Sequence, residues 1–253
     1  MLEVAASQAQ GRRAHMEDFV HVEHPFAGHA DWLYVGVFDG HGGATVARRA
    51  AQEIYPLLAA ELAGGSPPQA GIARAFRSFD DRVASEAGGA VAGVVLLQGR
   101  GFTVANAGDV TVLVVSSSEE RVVTKDHRLT NPQEAARVAG AGAVVEFPYA
   151  MLPDGRGLMP TRTLGDRDFR AIGVLADPDI AVDEWSPEDP WIVVGSDGVF
   201  DALEPREVAG HVRRAPTAKE AADRIRDEAL RAGDDNVTAV VIRNADLVRG
   251  RTF

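Results

Sequence analysis

The sequence predicts a layered α+β domain, and three observations carry the prediction. Short apolar runs bounded by turn residues recur along the chain, amphipathic stripes lie between groups of these runs, and glycine-containing breaks join neighbouring runs as hairpin turns would. A doubly wound parallel sheet would instead alternate strand and helix one for one.

Each element has its own signal. Runs rich in Val, Ile, Phe and Trp read as strands at residues 19–22, 32–38, 91–97, 102–107, 110–115, 121–124, 180–182, 191–194 and 237–242. The breaks at 98–101 and 108–109 read as hairpin turns, which makes the middle of the chain an antiparallel meander. Ala47, Ala51, Ile54 and Leu58 repeat at helical spacing, and Pro56 is expected to kink or end that helix. Ile72, Phe76, Phe79 and Val83 form a second stripe. Asn131 followed by Pro132 marks a third helix start, and Thr217 with Glu220 forms a capping box ahead of Ala221, Ile225 and Ala229. Neither a linker-like stretch nor a repeat interrupts the pattern, so residues 1–253 read as one domain.

Composition removes whole classes of function. Cysteine is absent, which excludes disulfides, thiolate zinc sites and a cysteine nucleophile. The formal net charge is −11 and only two of the 26 basic residues are lysines, so the basic face that a nucleic-acid binder needs is missing. No apolar run approaches the ~20 residues of a membrane span, and the first residues lack a cationic segment leading into an apolar one. The expectation is a cytoplasmic protein with neither nucleic acid nor membrane as partner.

The carboxylates supply the positive signal. Glu17 and Asp18 precede the run 19–22, Asp39 and Gly40 follow 32–38, Asp109 sits between two runs, Asp197 and Gly198 follow 191–196, and Asp235 precedes 237–242. An Asp-Gly pair taken alone is usually a plain turn. These pairs end strongly apolar strands, where a rigid sheet can aim several acids at one spot and glycine lets a carbonyl approach a ligand. Each close pair of carboxylates would repel by roughly 4 kcal/mol at 4 Å, so such a cluster calls for cations. An all-oxygen ligand set suits Mg²⁺, Mn²⁺ or Ca²⁺ rather than zinc or copper.

Competing motifs fail on particular residues. Neither lysine follows a glycine, so there is no P-loop. His15-Met16-Glu17 lacks the cysteines of a zinc deaminase, Ser196 lacks the second glycine of a nucleophile elbow, and Gly140-Ala141-Gly142 lacks the third glycine of a dinucleotide fingerprint.

Seven blocks occur in order: Gly11-Arg12-Arg13-Ala14-His15-Met16-Glu17-Asp18, Val37-Phe38-Asp39-Gly40-His41-Gly42-Gly43, Ala105-Asn106-Ala107-Gly108-Asp109, Thr124-Lys125-Asp126-His127-Arg128, Thr161-Arg162-Thr163-Leu164-Gly165-Asp166, Ser196-Asp197-Gly198-Val199-Phe200-Asp201 and Asp235-Asn236-Val237-Thr238. Together they resemble the metal-dependent protein serine/threonine phosphatases of type 2C, over nearly the whole chain. The resemblance implies a four-layer αββα sandwich, two Mn²⁺ or Mg²⁺ ions with a weaker third, and phosphoserine or phosphothreonine proteins as substrates, themselves products of a serine/threonine kinase. Matched residue by residue, it implies that Asp39 bridges both ions. Asp197 and Asp235 complete one ion, and Glu17 with the Gly40 carbonyl binds the other. It makes Asp18 an outer acceptor for metal-bound water and gives the third ion Asp109 and Asp201. Arg13 is implied to grip the phosphate, and His41 to protonate the leaving oxygen.

The chain departs from the family pattern at Gly89-Ala90-Val91-Ala92, where hydroxyls are usual, and at Val110-Thr111, where Ser-Arg is usual. The segment 167–176, where a substrate-shaping flap is expected, is short. Two other readings stand beside the phosphatase: a weakly active regulatory domain of the same fold, whose usual sign is lost metal aspartates, and a two-metal hydrolase of small phosphoesters, which would need a base-binding cluster.

Overall fold

A computed structural model describes residues 2–186 and 188–244. In chain order it contains β1 (Leu2–Ala9), β2 (Asp18–Glu23), β3 (Trp32–His41), α1 (Thr45–Ala63), α2 (Pro68–Arg82), β4 (Gly89–Gln98), β5 (Gly101–Ala107), β6 (Thr111–Val115) and β7 (Glu120–Val122). There follow α3 (Pro132–Gly140), β8 (Val144–Glu146), β9 (Tyr149–Met151), β10 (Gly157–Leu158), β11 (Leu164–Gly165), a 3-10 turn (Arg167–Ile172) and β12 (Asp179–Glu184). The chain closes with β13 (Trp191–Gly195), α4 (Asp197–Phe200), α5 (Pro205–Arg213), α6 (Ala218–Ala232) and β14 (Val237–Asn244).

Two antiparallel sheets stack face to face. One runs β1-β14-β13-β6-β7; the other runs β12-β5-β4-β3-β2, with β11 pairing the first residues of β4. Strand alternation sorts their side chains into layers. On β3, Val35 and Val37 enter the inter-sheet core with Val112, Ile192, Val194 and Val240, whereas Tyr34 and Phe38 point the other way, against α1 and α2. On β13, Val193 likewise faces α5 and α6. Both faces of the central strands are therefore dry, which explains why they read as unbroken apolar runs. The result is the αββα sandwich.

Three expectations are corrected. The break at 108–109 is not a hairpin: β5 and β6 belong to different sheets, so Gly108, Asp109 and Val110 carry the chain across the sandwich. The crossing is tight, because a Cβ on Gly108 would meet Val91 at 2.3 Å and one on Gly93 would meet Val110 at 2.2 Å. That is the packing role of Val91 and Val110 where the family pattern has hydroxyl residues and Ser-Arg. Pro56 does not end α1, which continues to Ala63; Pro56 lies on the exposed side while Ile54 and Leu58 stay fully buried. Residues 167–176 form no flap; Phe169, Ile172 and Val174 pack under the small sheet β8-β9-β10, and that sheet flanks the cleft described below.

Candidate metal centre

All predicted site residues except Asp18 and Asp201 line one cleft of about 600 Å³ at the end of the sandwich. The sheets place them there. Asp18 and Asp39 are direct cross-strand partners at the ends of β2 and β3. The β2–β3 register carries on one residue further, with Gly40 N–H donating to the Glu17 carbonyl at 3.1 Å. A Cβ on Gly40 would stand 2.8 Å from that carbonyl, which is why this position takes glycine. From the other sheet, Asp197 opens α4 directly after β13, and Asp235 lies just before β14.

Asn236 ties these pieces together. Its amide donates to the carbonyls of Gln10 (2.7 Å) and His15 (3.0 Å), and its oxygen accepts from Glu17 N–H at 2.7 Å. The loop that carries Arg13 and Glu17 is thus fastened to β14. Ser196 does the same beneath the cleft, donating to Asp18 Oδ2 at 2.9 Å and accepting from Thr238 N–H at 3.2 Å.

Three of these acids, Asp18, Asp39 and Asp197, hold protons far more tightly than exposed carboxylates do. Removal from water is the main cause for all three shifted acids, with neighbouring charge second in weight for two of them. Asp39 is raised well above 3.8 by burial and by Asp18 and Asp197. Asp18 is pushed up to about 6 by burial, against the hydrogen bonds of Thr238 and Ser196. Asp197 is pushed up to about 7 by burial and Asp109. A bound cation relieves this penalty.

Two arginines already answer part of the charge. Arg13, 57% exposed at the rim, donates to Asp235 at 2.5 Å. Arg128 reaches into the cleft wall and binds Asp109 (2.5 Å), Asp197 (2.9 Å) and both oxygens of Asp201 (2.9 Å). Among the described residues no three acids or imidazoles enclose a point that could hold an ion. The donor set still fits Mg²⁺ or Mn²⁺: it is all oxygen, and it includes Asp18 Oδ1, a buried carboxylate oxygen that has no hydrogen-bond partner. Asp201 stands on the outer side of Arg128, 59% exposed, at the end of the turn that Asp197 begins.

His41, at the end of β3, lies across the cleft, with Nε2 2.6 Å from Asp166 Oδ2. Burial disfavours its cation, but the hydrogen bond and charge of Asp166 prevail and raise its pKa above 6.5. Arg128 and Asp166 both lay in recognised sequence blocks, yet nothing in the sequence gave either a role.

The sequence profile of the family described as protein phosphatase 2C matches residues 2–238. The chain belongs to the protein phosphatase 2C family. It is 29% identical over 245 residues to probable protein phosphatase 2C 59 of Arabidopsis thaliana, covering 94% of this chain and 78% of that protein. It is 30% identical over 245 residues to probable protein phosphatase 2C 45 of Oryza sativa subsp. japonica, covering 94% and 86%. Among solved structures, the serine-threonine phosphatase 2C from Toxoplasma gondii superposes with a TM-score of 0.85 at 18% identity, covering 96% of this chain and 94% of that one. As a protein phosphatase 2C, the chain is a phosphoprotein phosphatase. No helix among the described residues is long and apolar enough to cross a membrane.

Proposed function

We propose that this protein removes phosphate from phosphoserine and phosphothreonine in proteins phosphorylated by a serine/threonine kinase, using a centre of two Mn²⁺ or Mg²⁺ ions. The observation that carries the reading is the gathering of Glu17, Asp39, Asp197 and Asp235 on one cleft, from both sheets, with Asp39 and Asp197 holding protons abnormally tightly. Asp39 would bridge the two ions, Asp197 and Asp235 would complete one, and Glu17 with the Gly40 carbonyl would hold the other. When bound, the ions supply a nucleophilic water at neutral pH and offset charge on the phosphoryl oxygens.

The chain's own residues do the rest. Arg13 presents a planar donor fork at the cleft mouth, suited to a dianionic phosphoryl group. Asp18, buried beneath Asp39 with one oxygen free to accept, orients water at the centre. His41 donates a proton to the departing seryl or threonyl oxygen. Asp109 and Asp201 would hold a weaker third ion, in competition with Arg128. The test is the rate on phosphoseryl and phosphothreonyl peptides and on nucleotides with Mn²⁺, with Mg²⁺ and after chelation. Turnover restored by either ion supports the reading; a preference for nucleotides over every phosphopeptide would overturn it.

A further inference from the structure

Asp166 is held in an unusual way. It is one of two non-glycine residues with positive φ among those described, at +49°. An aspartate in that region costs on the order of 1 kcal/mol, so its surroundings must impose the conformation. They are well defined. β11 ends at Gly165, paired with Gly89 of β4, and Asp166 N–H donates to Gly88 O at 3.2 Å. Asp166 stands at the start of the 3-10 turn, but its side chain makes no capping hydrogen bond there. It is 7% exposed, and it runs instead to His41 Nε2 at 2.6 Å.

The neighbouring backbone leaves room for this contact and little else. A Cβ on Gly89 would fall 2.0 Å from Asp166 Oδ2 and 2.8 Å from His41 Nε2. Gly88 is excluded from bearing a side chain as well, since its Cβ would lie 2.4 Å from the His41 carbonyl. Strand β3 delivers the imidazole, the residue after β11 delivers the carboxylate, and between them lie only Gly88 and the first residue of β4, Gly89.

We propose that Asp166 is the positioning residue for His41, fixing the ring so that Nε2–H stays on the carboxylate and Nδ1–H faces the leaving oxygen. Among the described residues Nδ1 has no hydrogen-bond partner, and the side chain is 30% exposed where it lines the cleft. The step balances simply. As the P–O bond breaks, its electron pair stays on the seryl or threonyl oxygen and takes the Nδ1 proton. His41 is left neutral with Nε2–H still on Asp166, and solvent returns the proton to Nδ1. The inference rests on the reading of His41 as the acid.

The variants are Asp166→Asn, His41→Ala and the double variant, in Mn²⁺-loaded protein, with a phosphoseryl peptide and p-nitrophenyl phosphate as substrates. Asparagine is isosteric and tolerates positive φ, so the fold is kept. Asp166→Asn should lower peptide turnover roughly tenfold to a hundredfold beyond its effect on the aryl ester, whose good leaving group needs little protonation. In the His41→Ala background it should have no further selective effect. In the Mg²⁺ form, nitrogen-15 spectra should show a strongly hydrogen-bonded Nε2–H that persists when the ring loses its Nδ1 proton, and Asp166→Asn should weaken that bond. If His41→Ala is selective and Asp166→Asn is not, or if their effects multiply, Asp166 is not the positioning residue. If His41→Ala slows both substrates equally, the acid reading of His41 falls, and the proposal with it.

Discussion

Asp39→Asn should stabilise the chelated protein while disabling the enzyme. Asp39 faces Asp18 directly across β2 and β3, and the charge of Asp18 helps to raise the Asp39 pKa. Two carboxylates about 4 Å apart repel by about 4 kcal/mol at an effective dielectric near 20. Keeping one of them protonated at pH 7.5 instead costs ~5 kcal/mol, at about 1.4 kcal/mol for each pH unit above its ordinary value. Asparagine removes the charge and keeps the shape; allowing half of the gain for a poorer hydrogen bond leaves ~2 kcal/mol, or a rise of about 4–8 °C in Tm for a domain of this size. The sign with pH follows from the raised values. Asp18 and Asp197 titrate near 6 and 7 in the folded protein against 3.8 unfolded, and Asp39 also lies well above 3.8. The folded state therefore binds more protons than the unfolded chain from about pH 4 upward, and this cluster's contribution to stability falls as pH rises through the folded values. Buried His127, lowered by desolvation, gives the opposite slope, and comparison of the two proteins cancels it. Thermal unfolding of both in excess chelator, from pH 5 to 7.5, should show the mutant's advantage growing with pH while its Mn²⁺-supported turnover falls by orders of magnitude. A mutant less stable than wild type at pH 7.5, or an advantage that shrinks as pH rises, would refute the reasoning.

Three further outcomes follow from the same geometry. Arg13→Ala should raise KM for phosphopeptide more than it lowers kcat, as steady-state kinetics would show, because the side chain sits at the cleft mouth. Asp109→Ala should leave two tight ions bound yet raise the Mn²⁺ concentration for half-maximal rate; titration curves that superimpose on wild type would confine Asp109 to shaping its turn. Arg128→Gln should cost the chelated protein about 3 kcal/mol by urea denaturation, since Asp109 is only 4% exposed and would lose its counter-ion. Unchanged stability would show that Arg128 carries no such charge balance.

Much of the fold was legible because its central strands are dry on both faces: the runs around Val35, Val95, Val193 and Val240 announce themselves as strands wherever they pair. What the runs could not say was which sheet each joins. Glycine next to aspartate looks the same in a hairpin and in the crossing at Gly108, and only the packing of Val91 and Val110 distinguishes them. β1 escaped notice because, as an edge strand of middling burial, its residues alternate weakly. α5 escaped because its cap is a glutamate, Glu204 paired with Glu207, rather than a hydroxyl residue. In the site, the acids stood out by their place at strand ends. Arg128 and Asp166 did not, because the partners of Arg128 are spread over acids 19, 69 and 73 residues away and that of Asp166 lies 125 residues away. Asn236 was visible only as part of a block, since its work is to hold the backbone of Gln10, His15 and Glu17.

The central claim is that Asp39 and its neighbouring acids build a two-ion centre on which phosphoester hydrolysis depends. Calorimetric titration of Mn²⁺ into exhaustively chelated protein, with phosphoserine-peptide turnover measured on the same samples, tests it most directly. Turnover should be absent without metal, the wild type should bind two tight ions, and turnover should appear only as both sites fill. Undiminished turnover in the chelated protein, or two tight ions still bound by Asp39→Asn, would contradict it.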